Sequence, residues 1–268
     1  MSTSPGGESR HVSVGDLNIA YEAAGAGDPA VMLIHGALGD RSYYAAQTAH
    51  LESRRRVIAP DLRGHGESDV PDAATIEDFE ADVLAVVDDA GVESVVLCGH
   101  SMMGAVALAV AESNPELVRG LVMLDSPIFY PEPVRQQALE VLLPALESEH
   151  WLDALRGFFG RMFDPNDPPE VTARVMADLG RARPEIARSF FNSLFGPDFE
   201  DRQRRISDAL ANLQCPLLFV HARAPMDLQR LQQLRPDALV EQVTGTGHFL
   251  MLSVPDQANT LLDRFLET

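Results

Sequence analysis

The chain has little that could crosslink it or bind a metal ion. Its 268 residues include only two cysteines, Cys98 and Cys215, and each lies within an apolar run (VVLCG and QCPLLFV). A buried reduced thiol is expected at such positions, not a disulfide. No HExxH, paired CxxC or similar ligand spacing occurs, so the sequence predicts neither a metal site nor a cofactor.

Basic residues are scarce. There are 21 Lys and Arg against 40 Asp and Glu, for a net charge of −19, which argues against a nucleic-acid partner because phosphate binding depends on clustered cations. Arg54, Arg55 and Arg56 are the only three consecutive basic residues, and we interpret them as a solvated loop.

Long apolar runs are absent as well. No stretch reaches the eighteen or so residues of a membrane span, and the start MSTSPGGESR lacks the basic flank and apolar core of a secretory signal. We therefore expect a cytoplasmic protein without a membrane span. The composition, 46% hydrophobic and 23% charged, is that of a globular protein, and the length allows one core with an insertion or two domains.

Short apolar runs alternate with segments of helical period, as in a mostly parallel sheet with crossover helices. The predicted strands are VMLIH, RVIAP, SVVLC, GLVMLD, PLLFVH and LVEQV. HVSV and NIAYEA predict an opening hairpin that turns at Gly15 and Asp16. Residues 76–91 place Ile76, Phe79 and Val83 on one face and end at Gly91, which predicts an amphipathic helix.

The alternation stops at Pro127 and resumes at Cys215, which indicates a helical insertion. The insertion holds the single Trp151 and eight of the twelve phenylalanines, Phe129, Phe158, Phe159, Phe163, Phe190, Phe191, Phe195 and Phe199. These rings either form the small core of the insertion or line a pocket, and the sequence leaves both open.

The segment LCGHSMMGAV runs from a strand into a helix-prone stretch. Gly99 and Gly104 permit a sharp turn that lifts Ser101 to the carboxyl end of the sheet, where open α/β sheets place their sites. The Met102 N–H at the start of the helix would then face an oxyanion formed beside Ser101. A nucleophilic serine needs a base. Among the eight histidines, His248 fits best, since it follows the last strand in the glycine-flanked loop TGTGHF.

Together with IHGALGD (34–40) and APDLRGHGESD (59–69), this order of serine, acid and late histidine resembles the α/β-hydrolase superfamily. The resemblance implies an α/β-hydrolase fold, with a mostly parallel eight-stranded sheet flanked by helices and a helical lid inserted after the sixth strand. Residues 1–127 and 208–268 would form the core and residues 128–207 the lid. It also implies Ala37 as the second oxyanion donor, beside Met102. Met103 stands where the family's elbow usually has a second glycine, which implies a slightly opened or rotated elbow.

The acid of the triad has two candidates. The family usually carries it after the seventh strand, where this chain has Pro225. Asp125, which ends GLVMLD, resembles the position used by members whose acid follows the sixth strand, among them zearalenone-type lactone hydrolases. Asp227 is the alternative, although the N-cap of the following helix explains it equally well. We predict Asp125, with the role of orienting His248.

The resulting hypothesis is a serine hydrolase that cleaves a carboxylic ester or lactone of a small to medium apolar substrate through an acyl-enzyme. A carbon–carbon bond hydrolase of the kind that acts on aromatic breakdown products, and a ligand-binding or signalling protein on a hydrolase scaffold, remain alternatives. Whether the chain forms a homodimer is left open. The predicted substrate-binding residues are His35, Leu38, His100, Phe129, Trp151, Phe158, Phe191 and Phe249. His35 is further expected to hold the oxyanion loop by a hydrogen bond, whereas His65 and His100 could be structural or catalytic.

Overall fold

A computed structural model describes residues 7–222 and 226–267. Within them, eight strands form one sheet in the order β1-β2-β4-β3-β5-β6-β7-β8. The strands are β1 (Glu8–Val14), β2 (Leu17–Ala24), β3 (Ala30–Ile34), β4 (Val57–Pro60), β5 (Val95–His100), β6 (Val118–Leu124), β7 (Leu217–His221) and β8 (Leu239–Gln242).

The sheet is parallel from β4 to β8, whereas β1 and β2 form an antiparallel hairpin and β2 pairs antiparallel with β4. Burial follows this topology. Strands β3 to β5 are buried at every residue, as expected for parallel strands covered on both faces. The edge strand β1 alternates between exposed and half-buried residues, and the hairpin turns at Gly15 and Asp16 as predicted.

The helices flank the sheet and fill the interval between β6 and β7. They are α1 (Ala45–Leu51), α2 (Ile76–Ala90), α3 (Met103–Ser113), α4 (Glu132–Gln137), α5 (Leu143–Leu146), α6 (Trp151–Gly160), α7 (Pro169–Leu179), α8 (Pro184–Phe195), α9 (Phe199–Asn212), α10 (Leu228–Leu234), α11 (Leu250–Ser253) and α12 (Pro255–Leu266). A 3₁₀ turn (Arg41–Tyr44) precedes α1, and a π-helical segment (Ala138–Leu142) joins α4 to α5.

Helix α2 has the boundaries that its sequence predicts. Thr75 and Asp78 form a capping box, in which each side chain accepts a hydrogen bond from the backbone N–H of the other. At the other end, Gly91 adopts φ of 63° and caps the helix in the left-handed conformation that glycine tolerates. The predicted apolar face is buried at Phe79 and Val83.

Residues 126–216 contain helices and no strand, in agreement with the helical insertion inferred from the sequence. Helix α9 runs without a break across the predicted lid boundary between residues 207 and 208. It also packs against α3, which follows β5. The structure therefore joins the end of the insertion to the layer of helices on the sheet.

Two features are absent from the described part of the chain. No helix there is both long and apolar enough to cross a bilayer. Nor do the same residues bring together three His, Cys, Asp or Glu side chains in a way that could hold a metal ion.

Candidate active site

Ser101 lies at the sharp turn between β5 and α3. Its φ is 55°, in the left-handed region, and such a backbone costs a non-glycine residue on the order of 1 kcal/mol. The turn is held by hydrogen bonds from Ser101 N–H to Leu124 O (2.9 Å) and from Gly104 N–H to Ser101 O (3.0 Å). The serine side chain is thereby lifted off the strand at the carboxyl edge of the sheet.

Met103 is accommodated because the close contacts of the turn fall on its glycine neighbours. A Cβ on Gly99 would lie 2.5 Å from Met103 O, and one on Gly104 would lie 2.0 Å from Ser126 Oγ. Met103 itself is the first residue of α3, with its side chain fully buried. The tight approach of strand and helix therefore needs Gly99 and Gly104, and it tolerates a large residue at 103.

Backbone strain is concentrated around this turn. Among the described residues, the non-glycine residues with positive φ are Leu38 (59°), Ser101 (55°) and Asp125 (44°). They follow β3, β5 and β6, three neighbouring strands of the sheet. Residues held in disfavoured backbone regions cluster at functional sites, so the strain marks this edge of the sheet independently of any motif.

His248 is fixed both through its backbone and through its ring. Its N–H donates to Met162 O (2.8 Å), and its carbonyl oxygen accepts from His100 Nε2 (2.9 Å). On the ring, Nδ1 donates to Asp125 Oδ2 at 2.7 Å. That bond fixes the neutral tautomer that leaves Nε2 as a proton acceptor.

The two candidate acids have different surroundings. Asp125 is fully buried and contacts His248, while its Oδ1 accepts the Ala222 N–H at 2.7 Å. Asp227 is exposed and caps α10, accepting the Arg230 N–H at 3.0 Å. Pro225, which occupies the family's usual acid position, lies outside the described residues.

The loop after β3 is tied down by two buried histidines. His65 Nε2 accepts the Leu38 N–H and its Nδ1 donates to Arg63 O. In the same way His35 Nε2 accepts the Leu62 N–H, while its Nδ1 donates to Gly36 O. In the described part of the chain, the N–H groups of Ala37 and Met102 donate to no protein acceptor.

These histidines are neutral because burial penalises the imidazolium. Desolvation lowers the pKa of His65 to about 3, with a smaller contribution from His35. Desolvation also lowers the pKa of His35, and it lowers the pKa of His100 well below the ordinary value of 6.5, with His248 as the second cause. His100 Nδ1 has no hydrogen-bond partner among the described residues.

Ser101, His248, His100 and Ala37 line a cavity of about 530 Å³. Within the described residues no hydrogen bond joins Ser101 Oγ to His248, as is common in unliganded enzymes whose catalytic contacts tighten on binding. Most of the cavity wall is apolar and comes from the insertion, and Phe158 packs edge-on against Phe191 in it with centroids 5.1 Å apart.

The predicted substrate-binding residues divide into two groups. His100, Phe158, Phe191 and Phe249 line the cavity; His35, Leu38, Phe129 and Trp151 do not. His35 and Leu38 are buried within the loop after β3, and Trp151 packs against the core. Phe129 lies under the Arg230 guanidinium, 4.3 Å from the ring centroid. Aromatic character alone did not separate the residues that line the cavity from those that do not.

Sequence reasoning missed several cavity residues, including Tyr130, Gln137, Phe159, Met162, Phe190 and Leu194. The spacing of Ala154, Gly157 and Phe158 along α6, continued by Arg161 at its C-cap, offered a partial signal, since residues three and four apart share a helix face. Which face is turned towards Ser101 depends on how the insertion folds back over the sheet.

Several known proteins resemble this chain in sequence or in fold. The model of the alpha/beta hydrolase family matches residues 31–260. The first curated relatives are uncharacterised proteins of Mycobacterium bovis and Mycobacterium tuberculosis, 42% identical over 112 residues. That match covers 40% of this chain and 31% of the length of those relatives. The chain thus spans under a third of their length.

Other relatives match over most of the chain. An sn-1-specific diacylglycerol lipase ABHD11 of Xenopus laevis is 31% identical over 248 residues, covering 83% of this chain and 74% of the lipase. A solved N-acyl homoserine lactone degrading enzyme is 26% identical, with a TM-score of 0.79 and coverage of 96% of this chain and 100% of that one.

An enol-lactonase from Burkholderia xenovorans LB400 has a TM-score of 0.82 at 20% identity, covering 97% of this chain and 100% of its own. At that identity, the likeness establishes a shared fold and nothing finer. Since the family model extends over most of the sequence and the sheet has the expected order of strands, the chain belongs to the alpha/beta hydrolase family.

Proposed function

We propose that this hydrolase cleaves carboxylic esters or lactones through an acyl-enzyme formed on Ser101. The observation that carries the proposal is the 2.7 Å contact between His248 Nδ1 and Asp125 Oδ2, in a cavity that also exposes a serine on a left-handed turn. A base held in one tautomer beside a displayed hydroxyl is the arrangement that nucleophilic catalysis by serine requires.

In the proposed mechanism, Ser101 Oγ attacks the substrate carbonyl while His248 Nε2 accepts its proton. Asp125 holds the imidazole by its Nδ1–H and stabilises the imidazolium with its negative charge. The Ala37 and Met102 N–H groups donate to the oxyanion. His248 then returns the proton to the leaving alkoxide. Water attacks the acyl-enzyme with the same base, releasing the acid and Ser101.

The proposed substrate is small to medium in size and apolar. A cavity of about 530 Å³ lies within the range typical of sites for small molecules, and the Phe158 and Phe191 rings favour an aliphatic or aromatic acyl group. The lactone-degrading activity named for one similar structure supports including lactones. The helices of residues 128–207 would act as the lid, because most of the wall belongs to them.

A substrate panel with two variants tests the proposal. Purified protein is assayed with p-nitrophenyl esters of increasing chain length, with γ- and δ-lactones and with a vinylogous diketone, and it is labelled with a fluorophosphonate probe. We expect ester or lactone turnover and labelling, both abolished in Ser101→Ala and unchanged in Ser113→Ala, whose serine lies at the end of α3 away from the cavity.

Turnover of the diketone alone would favour the carbon–carbon hydrolase. A folded protein whose Ser101 is never labelled would contradict the proposal and favour a binding role. Equal turnover by wild type and Ser101→Ala would exclude Ser101 as the nucleophile.

A further inference from the structure

The loop that carries His248 is anchored to the insertion by a buried carboxylate. Asp167, in the segment between α6 and α7, is 8% exposed. Its Oδ1 accepts from Thr246 Oγ1 (2.9 Å) and from the Gly247 N–H (3.0 Å). Its Oδ2 accepts from the Asp164 N–H (2.9 Å), with a longer contact to the Gly247 N–H (3.2 Å). One side chain therefore binds both the insertion and the two residues before His248.

No Lys, Arg or His of the described chain forms an ion pair with Asp167. A buried carboxylate without a cation needs other donors to offset its desolvation. Here two backbone N–H groups and a hydroxyl supply them. A charged acceptor makes stronger hydrogen bonds than a neutral one. The hydrogen bonds that Asp167 accepts from Thr246 and Gly247, called the anchor below, are therefore stronger than hydrogen bonds between neutral groups.

The packing at Gly247 confirms how close the two segments are. A Cβ on this residue would lie 2.4 Å from Met162 O and 2.5 Å from Asp167 Oδ2. Directly beyond it, the His248 N–H donates to Met162 O at 2.8 Å. Met162 lines the cavity, so the backbone of His248 is bound to the cavity wall itself.

We propose that Asp167 is a positioning residue for His248. By holding Thr246 and Gly247 against the segment 162–167, it sets where the imidazole stands relative to Ser101, and it couples that position to the insertion. The inference rests on the proposed function, since it assigns His248 as the base. Asp167 touches neither substrate nor reacting atoms and acts only through the loop.

The matched control is Asp178, a carboxylate of α7 that is as buried (7% exposed) but is paired with Arg181 at 2.8 Å. Asp178 makes no hydrogen bond with residues 246–248. The variants are Asp167→Ala, Asp167→Asn, Thr246→Val, the double variant Asp167→Ala/Thr246→Val, and Asp178→Asn. Each is measured for kcat and KM on the best p-nitrophenyl ester and for hydrogen–deuterium exchange of residues 245–250.

For Asp167→Ala we expect kcat to fall roughly 10- to 100-fold, because a small displacement of a catalytic group has that effect, with KM within about threefold of wild type. Exchange at residues 245–250 should be roughly tenfold faster. Asp167→Asn keeps one acceptor oxygen and should recover part of kcat. The double variant should be no slower than Asp167→Ala, since Thr246 acts through the same carboxylate.

An unchanged kcat in Asp167→Ala, or an equal loss in Asp178→Asn, overturns the proposal. A fall in kcat/KM that comes only from a higher KM also overturns it. The exchange measurement needs no substrate, so it keeps the two proposals distinguishable. If exchange at residues 245–250 is faster in Asp167→Ala but no turnover depends on Ser101, the proposed function is refuted and the anchor is supported. If exchange is unchanged in Asp167→Ala, the anchor is refuted, whatever the activity.

Discussion

Asp125→Asn is the substitution that examines the proposed triad most closely, because the structure determines which way the new amide must point. Asp125 Oδ1 accepts the Ala222 N–H at 2.7 Å and Oδ2 accepts from His248 Nδ1 at 2.7 Å. An asparagine has one acceptor for these two positions. If its oxygen stays on Ala222, its NH₂ faces His248 Nδ1, which must then accept. The imidazole proton moves to Nε2, and the base can no longer take a proton from Ser101.

The opposite orientation keeps the productive tautomer but points the amide NH₂ at the Ala222 N–H. A backbone donor left without its acceptor costs about 1–3 kcal/mol, so the productive orientation is disfavoured roughly 5- to 150-fold. The variant also lacks the charge that stabilises the imidazolium, an interaction of about 4 kcal/mol between unit charges near 4 Å at an effective dielectric of 20. Together these effects predict a loss of about 10³·⁵- to 10⁵-fold in kcat, a range that includes the loss seen in other triads forced into the wrong tautomer.

The assay is steady-state hydrolysis of a p-nitrophenyl ester, with thermal unfolding measured in parallel. Asparagine tolerates the positive φ of this position (44°) and keeps the contacts with Ala222 and His248, so its melting temperature should remain near that of wild type. Alanine at 125 loses the contacts with Ala222 and His248 but forces no tautomer. It should therefore be the less stable of the two variants and the more active. Asp227→Asn, at a residue that only caps α10, should match wild type.

An Asp125→Asn variant within about tenfold of wild-type kcat would refute this reasoning, because the loss of the charge alone predicts a larger decrease. A large loss in Asp227→Asn would instead make Asp227 the acid.

Three further predictions concern stability and the cavity. The pKa of His65 is lowered to about 3 by burial, whereas the unfolded chain takes up this proton near pH 6.5. Its contribution to stability is therefore full above pH 6.5 and is lost as pH falls towards 3. From pH 7 to pH 5, urea unfolding should show that the stability difference between wild type and His65→Gln shifts by about 2 kcal/mol against wild type. No shift would mean that folding does not lower the pKa of His65. In Gly99→Ala the new Cβ would meet Met103 O at 2.5 Å. This variant should lower the free energy of unfolding by about 3 kcal/mol and abolish activity. Gly157→Ala, whose new Cβ would lie in open space, should not destabilise the protein. Phe158→Ala should raise KM for apolar esters roughly tenfold by removing one cavity wall, and Phe129→Leu, outside the cavity, should leave KM unchanged.

Local patterns predicted most of the sheet and the order of the chemistry along the chain. Continuous apolar runs identified strands such as β5 and β7, because a strand buried on both faces needs no alternation. Gly91 marked the end of α2. The succession of a glycine-flanked serine, an aspartate at a strand end and a late histidine predicted the fold family, which the family match confirms.

The sequence by itself therefore determined the features that local spacing encodes. These are the type of each element, the positions where the backbone turns sharply, and the candidate catalytic residues at the ends of strands. Only the tertiary structure decided which aspartate contacts His248, since Asp125 and His248 are 123 residues apart and no local pattern fixes such a distance. It also decided that Phe158 lines the cavity while Phe129 does not, and that Asp167 holds the histidine loop. Each of these depends on how the insertion packs back onto the sheet, which is set by the fit of many side chains at once.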